Sequence, residues 1–145
     1  MGDLSKDIKS KFTSEKTKAL INILYTANWI SNHQNSFFKP YGISPQQYNI
    51  LRILRGSGEP MPVQTIKERM IDRAPNATRL MDKLCAKELI VRIPCATDRR
   101  VVHIEITKKG LALLEEIGED KNIFLLKNLN QAEAKQLNAL LDKIR

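Results

Sequence analysis

PNATRLMDKLCAKELIVRIPCATDRRVVHIEI, residues 75–106, changes its apolar spacing in mid-course and then turns back on itself. From Pro75 to about Glu88 the apolar residues Ala77, Leu80, Met81 and Leu84 recur at helical spacing, and a proline is tolerated in a helix's first turn. Leu89-Ile90-Val91-Arg92-Ile93 is β-branched and reads as a strand, as does Val101-Val102-His103-Ile104-Glu105-Ile106. The polar stretch between them, Pro94 to Arg100, makes a hairpin with a longer connection than the commonest turns.

Just upstream, Val63 to Met70 predicts a short helix with Ile66 and Met70 facing inward, and residues 71–74 form a brief connection. Two short helices joined by a tight turn are a helix-turn-helix, a pattern that many all-α proteins share. A basic hairpin directly after it is the more specific sign, because that order defines a winged helix.

Further out, residues 15–38 predict a long helix on Leu20, Ile23, Leu24, Ala27, Ile30 and Phe37, broken by Pro40, Gly42 and Pro45. Ser44-Pro45-Gln46-Gln47 reads as the start of the next helix, which runs to about Arg55 and ends in Gly56-Ser57-Gly58-Glu59-Pro60. Thr107 is placed to cap a helix that carries Leu111, Leu114, Ile117, Phe124 and Leu125 to about residue 128, weakened locally by Gly118. Asn130 and Glu133 form a capping-box pair for a last helix with Leu137, Leu140, Leu141 and Ile144 on its apolar face.

The 145 residues suit one domain with helical extensions, and a hydrophobic fraction of 42% supports a core. The apolar runs are too short to span a bilayer, and the charged N-terminus does not read as a signal segment. Lys6 stands where a myristoylation motif needs Ser or Thr. Cys85 and Cys95 form neither a CxxC pair nor a zinc pattern, and a reduced cytoplasm suits them. No cofactor or metal is expected. The net charge of +8 is unevenly spread. Residues 1–60 carry eight basic and four acidic side chains, residues 61–110 eleven and six, and residues 111–145 five and six. A polyanionic partner would therefore meet the first two thirds of the chain, although a basic surface kept for solubility would have the same composition.

On the 75–88 helix, Asn76, Arg79 and Lys83 follow at i, i+3 and i+7, read as lying opposite Leu80 and Leu84, with Thr78 and Asp82 flanking. Arg pairs with guanine edges, Asn with adenine, and Thr reaches base or phosphate. An ordinary solvated face would show the same residues. The hairpin decides between them, because Arg99 and Arg100 sit at a tip that can enter a minor groove. Asp98 fits beside them if its carboxylate orients a neighbouring guanidinium.

Asn76-Ala77-Thr78-Arg79-Leu80-Met81-Asp82-Lys83-Leu84, then Lys87-Glu88-Leu89-Ile90-Val91-Arg92, Asp98-Arg99-Arg100 and Ile106-Thr107-Lys108-Lys109-Gly110 together resemble the MarR (multiple-antibiotic-resistance regulator) family. The element order agrees over about residues 15–145. Glu88 departs from the family, which usually has Gly there. The resemblance implies a mainly α fold with a small β-hairpin wing, a winged helix-turn-helix flanked by long dimerisation helices. Residues 1–39 would hold the N-terminal segment and first dimerisation helix, 40–106 the DNA-binding domain and 107–145 the C-terminal dimerisation helices. It implies a homodimer on pseudo-palindromic double-stranded DNA, and the long apolar stripes of the terminal helices fit that independently.

By the same resemblance Asn76, Thr78, Arg79 and Lys83 would read bases and Arg73 a base or phosphate. Arg99 would enter the minor groove with Arg100 and Asp98 in support, and Gln64 and Thr65 are candidate phosphate contacts or helix caps. The family often answers to small aromatic ligands or to oxidation. Tyr25, Trp29, His33 and Phe37, spaced four apart on the first long helix, offer an aromatic stripe that serves either a ligand or plain packing. Cys85 and Cys95 read as ordinary small residues. The reading is a transcriptional regulator, specifically a repressor, in the cytoplasm. A winged helix that binds protein instead is the alternative, and no catalytic grouping supports an enzyme.

Overall fold

The computed structural model describes residues 2–73, 75–119 and 123–145. The chain divides into two units, residues 1–45 and 46–145.

In the first unit, Asp3 caps a single turn, α1 (Leu4–Asp7), by accepting from the Ser5 N–H. Ser14 caps the long helix α2 (Glu15–Phe38) by accepting from the Thr17 N–H at 3.1 Å. The 15–38 expectation therefore holds residue for residue, because a serine cap stands at one end and a break lies at the other. A 3-10 turn (Lys39–Tyr41) follows and closes on Gly42, whose φ of +70° is the left-handed conformation that glycine adopts most readily. Phe37 packs edge-on against Phe38 and lies against Tyr41.

The second unit is a helical layer around a small sheet. Its helices are α3 (Pro45–Ser57), α4 (Val63–Arg69), α5 (Ala77–Ala86), α6 (Lys108–Ile117) and α7 (Gln131–Asp142). The strands β1 (Met61–Pro62), β2 (Ile90–Pro94) and β3 (Val102–Ile106) pair antiparallel in the order β1-β3-β2. The expected hairpin is β2 and β3, with Arg92 opposite Ile104. The short strand β1 was not expected, and it adds Met61 opposite Ile104 on the other edge. Its two residues are too few to show a period, and one is a proline, which is tolerated at a sheet edge. Ile50, Leu51 and Leu54 of α3, Ile66 of α4, Met81 and Leu84 of α5, Ile90 and Ile104 of the sheet, and Leu114 and Ile117 of α6 form the buried core.

Two helices are shorter than the sequence suggests. The 75–88 helix is α5, starting at Ala77 with Asn76 at its cap position and ending at Ala86. Its C-terminus closes as a Schellman motif, with the Leu89 N–H donating to the Leu84 carbonyl and the Glu88 N–H to the Cys85 carbonyl. The helix expected from 107 to 128 stops at Ile117, because Gly118 takes φ +75° and leaves the helix. A 3-10 segment (Ile123–Leu126) follows, and the part of that expectation at residues 120–122 lies outside the described residues. The last helix starts as expected: Asn130 accepts from the Glu133 N–H at 2.9 Å and the Glu133 carboxylate accepts from the Asn130 N–H at 2.8 Å.

Candidate nucleic-acid interface

The core side of α5 is Ala77, Met81 and Leu84, all buried. This corrects the expectation that Leu80 and Leu84 mark that side. Leu80 is only half-buried on the flank, where its carbonyl accepts from Gln47 Nε2 at 3.3 Å. At about 100° per residue, burial of 77, 81 and 84 turns Arg79 directly outward, with Asp82 and Lys83 on either side of it. Thr78, Arg79, Asp82 and Lys83 are all exposed. Asn76 is exposed as well, and its side chain makes no capping bond.

Before α5, the turn is held from below: Asn49 on α3 accepts from the Ile71 N–H at 2.9 Å. Gln64 is exposed and Thr65 half-buried at the start of α4. No side chain caps that helix, and Gln64 Nε2 donates instead to Glu68 one turn on. Gln64, Lys67 and Arg73 line a hollow of about 300 Å³ between α4 and the start of α5. It gathers two cations, which suit phosphate oxygens, beside the Gln64 amide and the Glu68 carboxylate that the amide already engages. Lys67 was not picked out in the sequence, although its i+3 spacing from Gln64 puts the two on one helix face.

The wing's tip is a tight turn in which the Asp98 carbonyl accepts from the Val101 N–H at 3.1 Å. Asp98 Oδ1 also accepts from the Arg100 N–H at 3.0 Å. The carboxylate therefore binds backbone, not the guanidinium proposed for it, because an Asp opening a turn reaches the N–H two residues on. Its effect is to place Arg99 and Arg100 at the two central positions of the turn, and both are exposed. Below the tip, Cys95 Sγ lies 3.2 Å from the Thr97 hydroxyl. That hydrogen bond, helped by the backbone N–H groups of Thr97 and Asp98, draws the half-buried thiol's pKa below its ordinary value.

The wing is fastened to α5 and α6. Arg92, on the strand face it shares with Ile90, donates to the Asp82 carboxylate of α5. That bond raises the pKa of Arg92, which is fully charged in any case. The sequence showed both residues but not the pair, since nothing in the spacing announces a contact between helix and strand. At the hairpin's other end, the Thr107 hydroxyl donates to the Glu88 carbonyl at 2.7 Å and accepts from the Gly110 N–H at 3.0 Å. The Thr107 N–H donates to the Leu89 carbonyl. The same carbonyl would lie 2.3 Å from a Cβ on Gly110, so only glycine fits there.

The aromatic stripe on α2 splits. Tyr25 and Trp29 line a cleft with residues of α1. His33 Nδ1 donates to the Trp29 carbonyl at 2.9 Å and its ring rests 4.2 Å from the Trp29 ring. Phe37 belongs to the packing around Phe38 and Tyr41. Among the described residues no cluster of His, Cys, Asp or Glu could hold a metal ion, and no helix is long and apolar enough to cross a membrane.

A helix-turn-helix with an exposed basic and polar face, followed by a hairpin tipped with paired arginines, defines a winged-helix DNA-binding protein. Known proteins narrow the class. The MarR family model matches residues 43–102. The transcriptional regulator MhqR of Bacillus subtilis is 34% identical over 108 residues, covering 74% of each chain. A mutant MarR from E. coli, solved in complex with operator DNA, superposes with a TM-score of 0.73 at 26% identity, covering 99% of both chains. NadR, solved in complex with 4-hydroxyphenylacetate, gives 0.68 at 25% identity, covering 93% of this chain and 94% of that one. The chain belongs to the MarR family. Its members are DNA-binding transcriptional regulators and not enzymes.

Proposed function

We propose that this chain is a cytoplasmic repressor that binds a pseudo-palindromic operator as a homodimer and lets go when a small aromatic ligand binds. The observation that carries the DNA reading is the pairing of the outward face of α5 with the turn that presents Arg99 and Arg100. In this reading Asn76, Thr78, Arg79 and Lys83 meet base edges, and Gln64, Thr65, Lys67 and Arg73 meet phosphates. Arg99 enters the minor groove, with Arg100 beside it and Asp98 folding the tip.

The dimer is supported by apolar side chains that the single chain leaves in water: Leu20 and Leu24 on α2, Ile123 and Phe124 in the 3-10 segment, and Leu140 and Ile144 near the C-terminus. So many large apolar groups on the terminal segments favour burial against a second copy. Tyr25 and Trp29, with His33 behind them and Phe37 further along, supply the aromatic side of the ligand reading. NadR's complex with 4-hydroxyphenylacetate is a relative's precedent for an aromatic ligand.

Selection of bound sequences from a random duplex pool tests the proposal. Two related half-sites should emerge about one helical turn apart. Affinity for the selected duplex should fall steeply between low and physiological salt, as phosphate neutralisation requires. Absence of enrichment, or salt-independent binding, would overturn the reading.

A further inference from the structure

Residues 22, 25, 26 and 29 share one face of α2, and the N-terminal segment lies across them to enclose a cleft of about 440 Å³. That volume is within the range of sites that take a small organic molecule. Leu4, almost fully buried, forms the floor. Tyr25 and Trp29, 40% and 41% exposed, bring two aromatic rings to it. The His33 ring already covers part of Trp29 and so steadies it. Among the described residues, neither the Tyr25 hydroxyl nor the Trp29 indole N–H has a hydrogen-bond partner. Thr26 donates to Asn22 at 3.2 Å, which fixes the amide at the cleft wall.

The decisive feature is charge. Asp7 is the one charged side chain lining the cleft among the described residues, and its carboxylate has no ion-pair partner among them. A carboxylate beside two aromatic faces recognises an organic ammonium, through the ion pair and through attraction of the cation to the rings. A carboxylate ligand would meet Asp7 with no compensating cation. We infer that this cleft binds a small aromatic cation of the arylalkylammonium class. The inference deepens the proposed aromatic-effector reading and rests on it, but assigns the opposite charge to the ligand bound by NadR.

Trp29 is the sole tryptophan of the chain, so its fluorescence reports on this cleft alone. The probes are tyramine and 4-hydroxyphenylacetate, which share the phenol and differ in the charge at the far end. Tyramine should change the Trp29 emission saturably and bind at least tenfold more tightly than the carboxylate. Asp7→Asn, at an exposed position outside the core, should abolish that preference while circular dichroism stays unchanged. Equal or tighter binding of the carboxylate, an indifferent Asp7→Asn variant, or a Trp29 signal deaf to both probes would overturn the inference. Release of the selected operator duplex is followed in parallel. If the carboxylate releases DNA while Trp29 stays silent to both probes, the effector reading survives and the cleft assignment falls. If tyramine fills the cleft and DNA stays bound, the assignment survives and the effector reading falls.

Discussion

The two ends of the β2–β3 hairpin are built on opposite terms. At its base, Thr107 ties together the Glu88 carbonyl and the Gly110 N–H, and α6 comes so close to the Leu89 carbonyl that no side chain fits at Gly110. At its tip, Asp98 spends its carboxylate on the backbone and both guanidiniums stand in solvent. The base is held chiefly through backbone groups, and the tip chiefly displays charge. A substitution at the base should therefore change stability first, and one at the tip should cost DNA affinity with stability untouched.

Gly110→Ala is the hardest test of the base. The added Cβ would sit 2.3 Å from the Leu89 carbonyl oxygen and 2.7 Å from Ile106 Cγ1. Neither can retreat easily: the carbonyl belongs to the chain just after the Schellman motif and accepts from the Thr107 N–H. Overpacking of this kind costs about 1–3 kcal/mol and more where backbone must shift, so thermal denaturation should show a midpoint lower by roughly 5–10 °C. A midpoint unchanged within about 1 °C would mean that α6 docks more loosely than the structure has it.

Arg99→Ala is the matching test of the tip. It removes a solvent-exposed side chain from a turn whose backbone bonds come from Asp98 and Val101. The melting midpoint should stay put. Affinity for the selected duplex, read by fluorescence anisotropy, should fall at least tenfold, about 1.4 kcal/mol. A loss under about twofold would remove Arg99 from the interface and leave the burden of recognition to α5.

The contrast also explains what the sequence discloses. The long α2, the α5 helix and the hairpin follow from apolar periodicity and caps, which are local, and they stand within a few residues of where the spacing puts them. The outward turn of Arg79 needs only the burial of Ala77, Met81 and Leu84. What stayed hidden depends on contacts between elements. The Asp82–Arg92 bond joins residues ten apart on a helix and a strand, β1 finds its partner only when the chain has folded, and the clearance at Gly110 depends on Leu89. For Asp98 the adjacent arginines suggest a guanidinium partner, where the nearer backbone N–H of Arg100 wins.

Glu88 gives the smallest effect and the finest test of the base. It holds φ +59°, the left-handed conformation that ends α5, at the position where a Schellman motif favours glycine. A Cβ there costs roughly 1 kcal/mol, and the return is slight. Lys109 Nζ lies 3.8 Å from the Glu88 carboxylate with both side chains exposed, a geometry worth only a few tenths of a kcal/mol. The Thr107 bond uses the Glu88 carbonyl, which any residue supplies. Glu88→Gly should therefore stabilise the chain by about 0.5–1 kcal/mol, offset partly by the greater freedom of an unfolded glycine, and raise the midpoint by about 2–4 °C. Glu88→Ala keeps the strained φ and loses the ion pair, so its midpoint should stay level or drop slightly. If both variants fall together, the carboxylate contributes more than its exposed geometry allows, and the hairpin base is held by charge as well as by backbone.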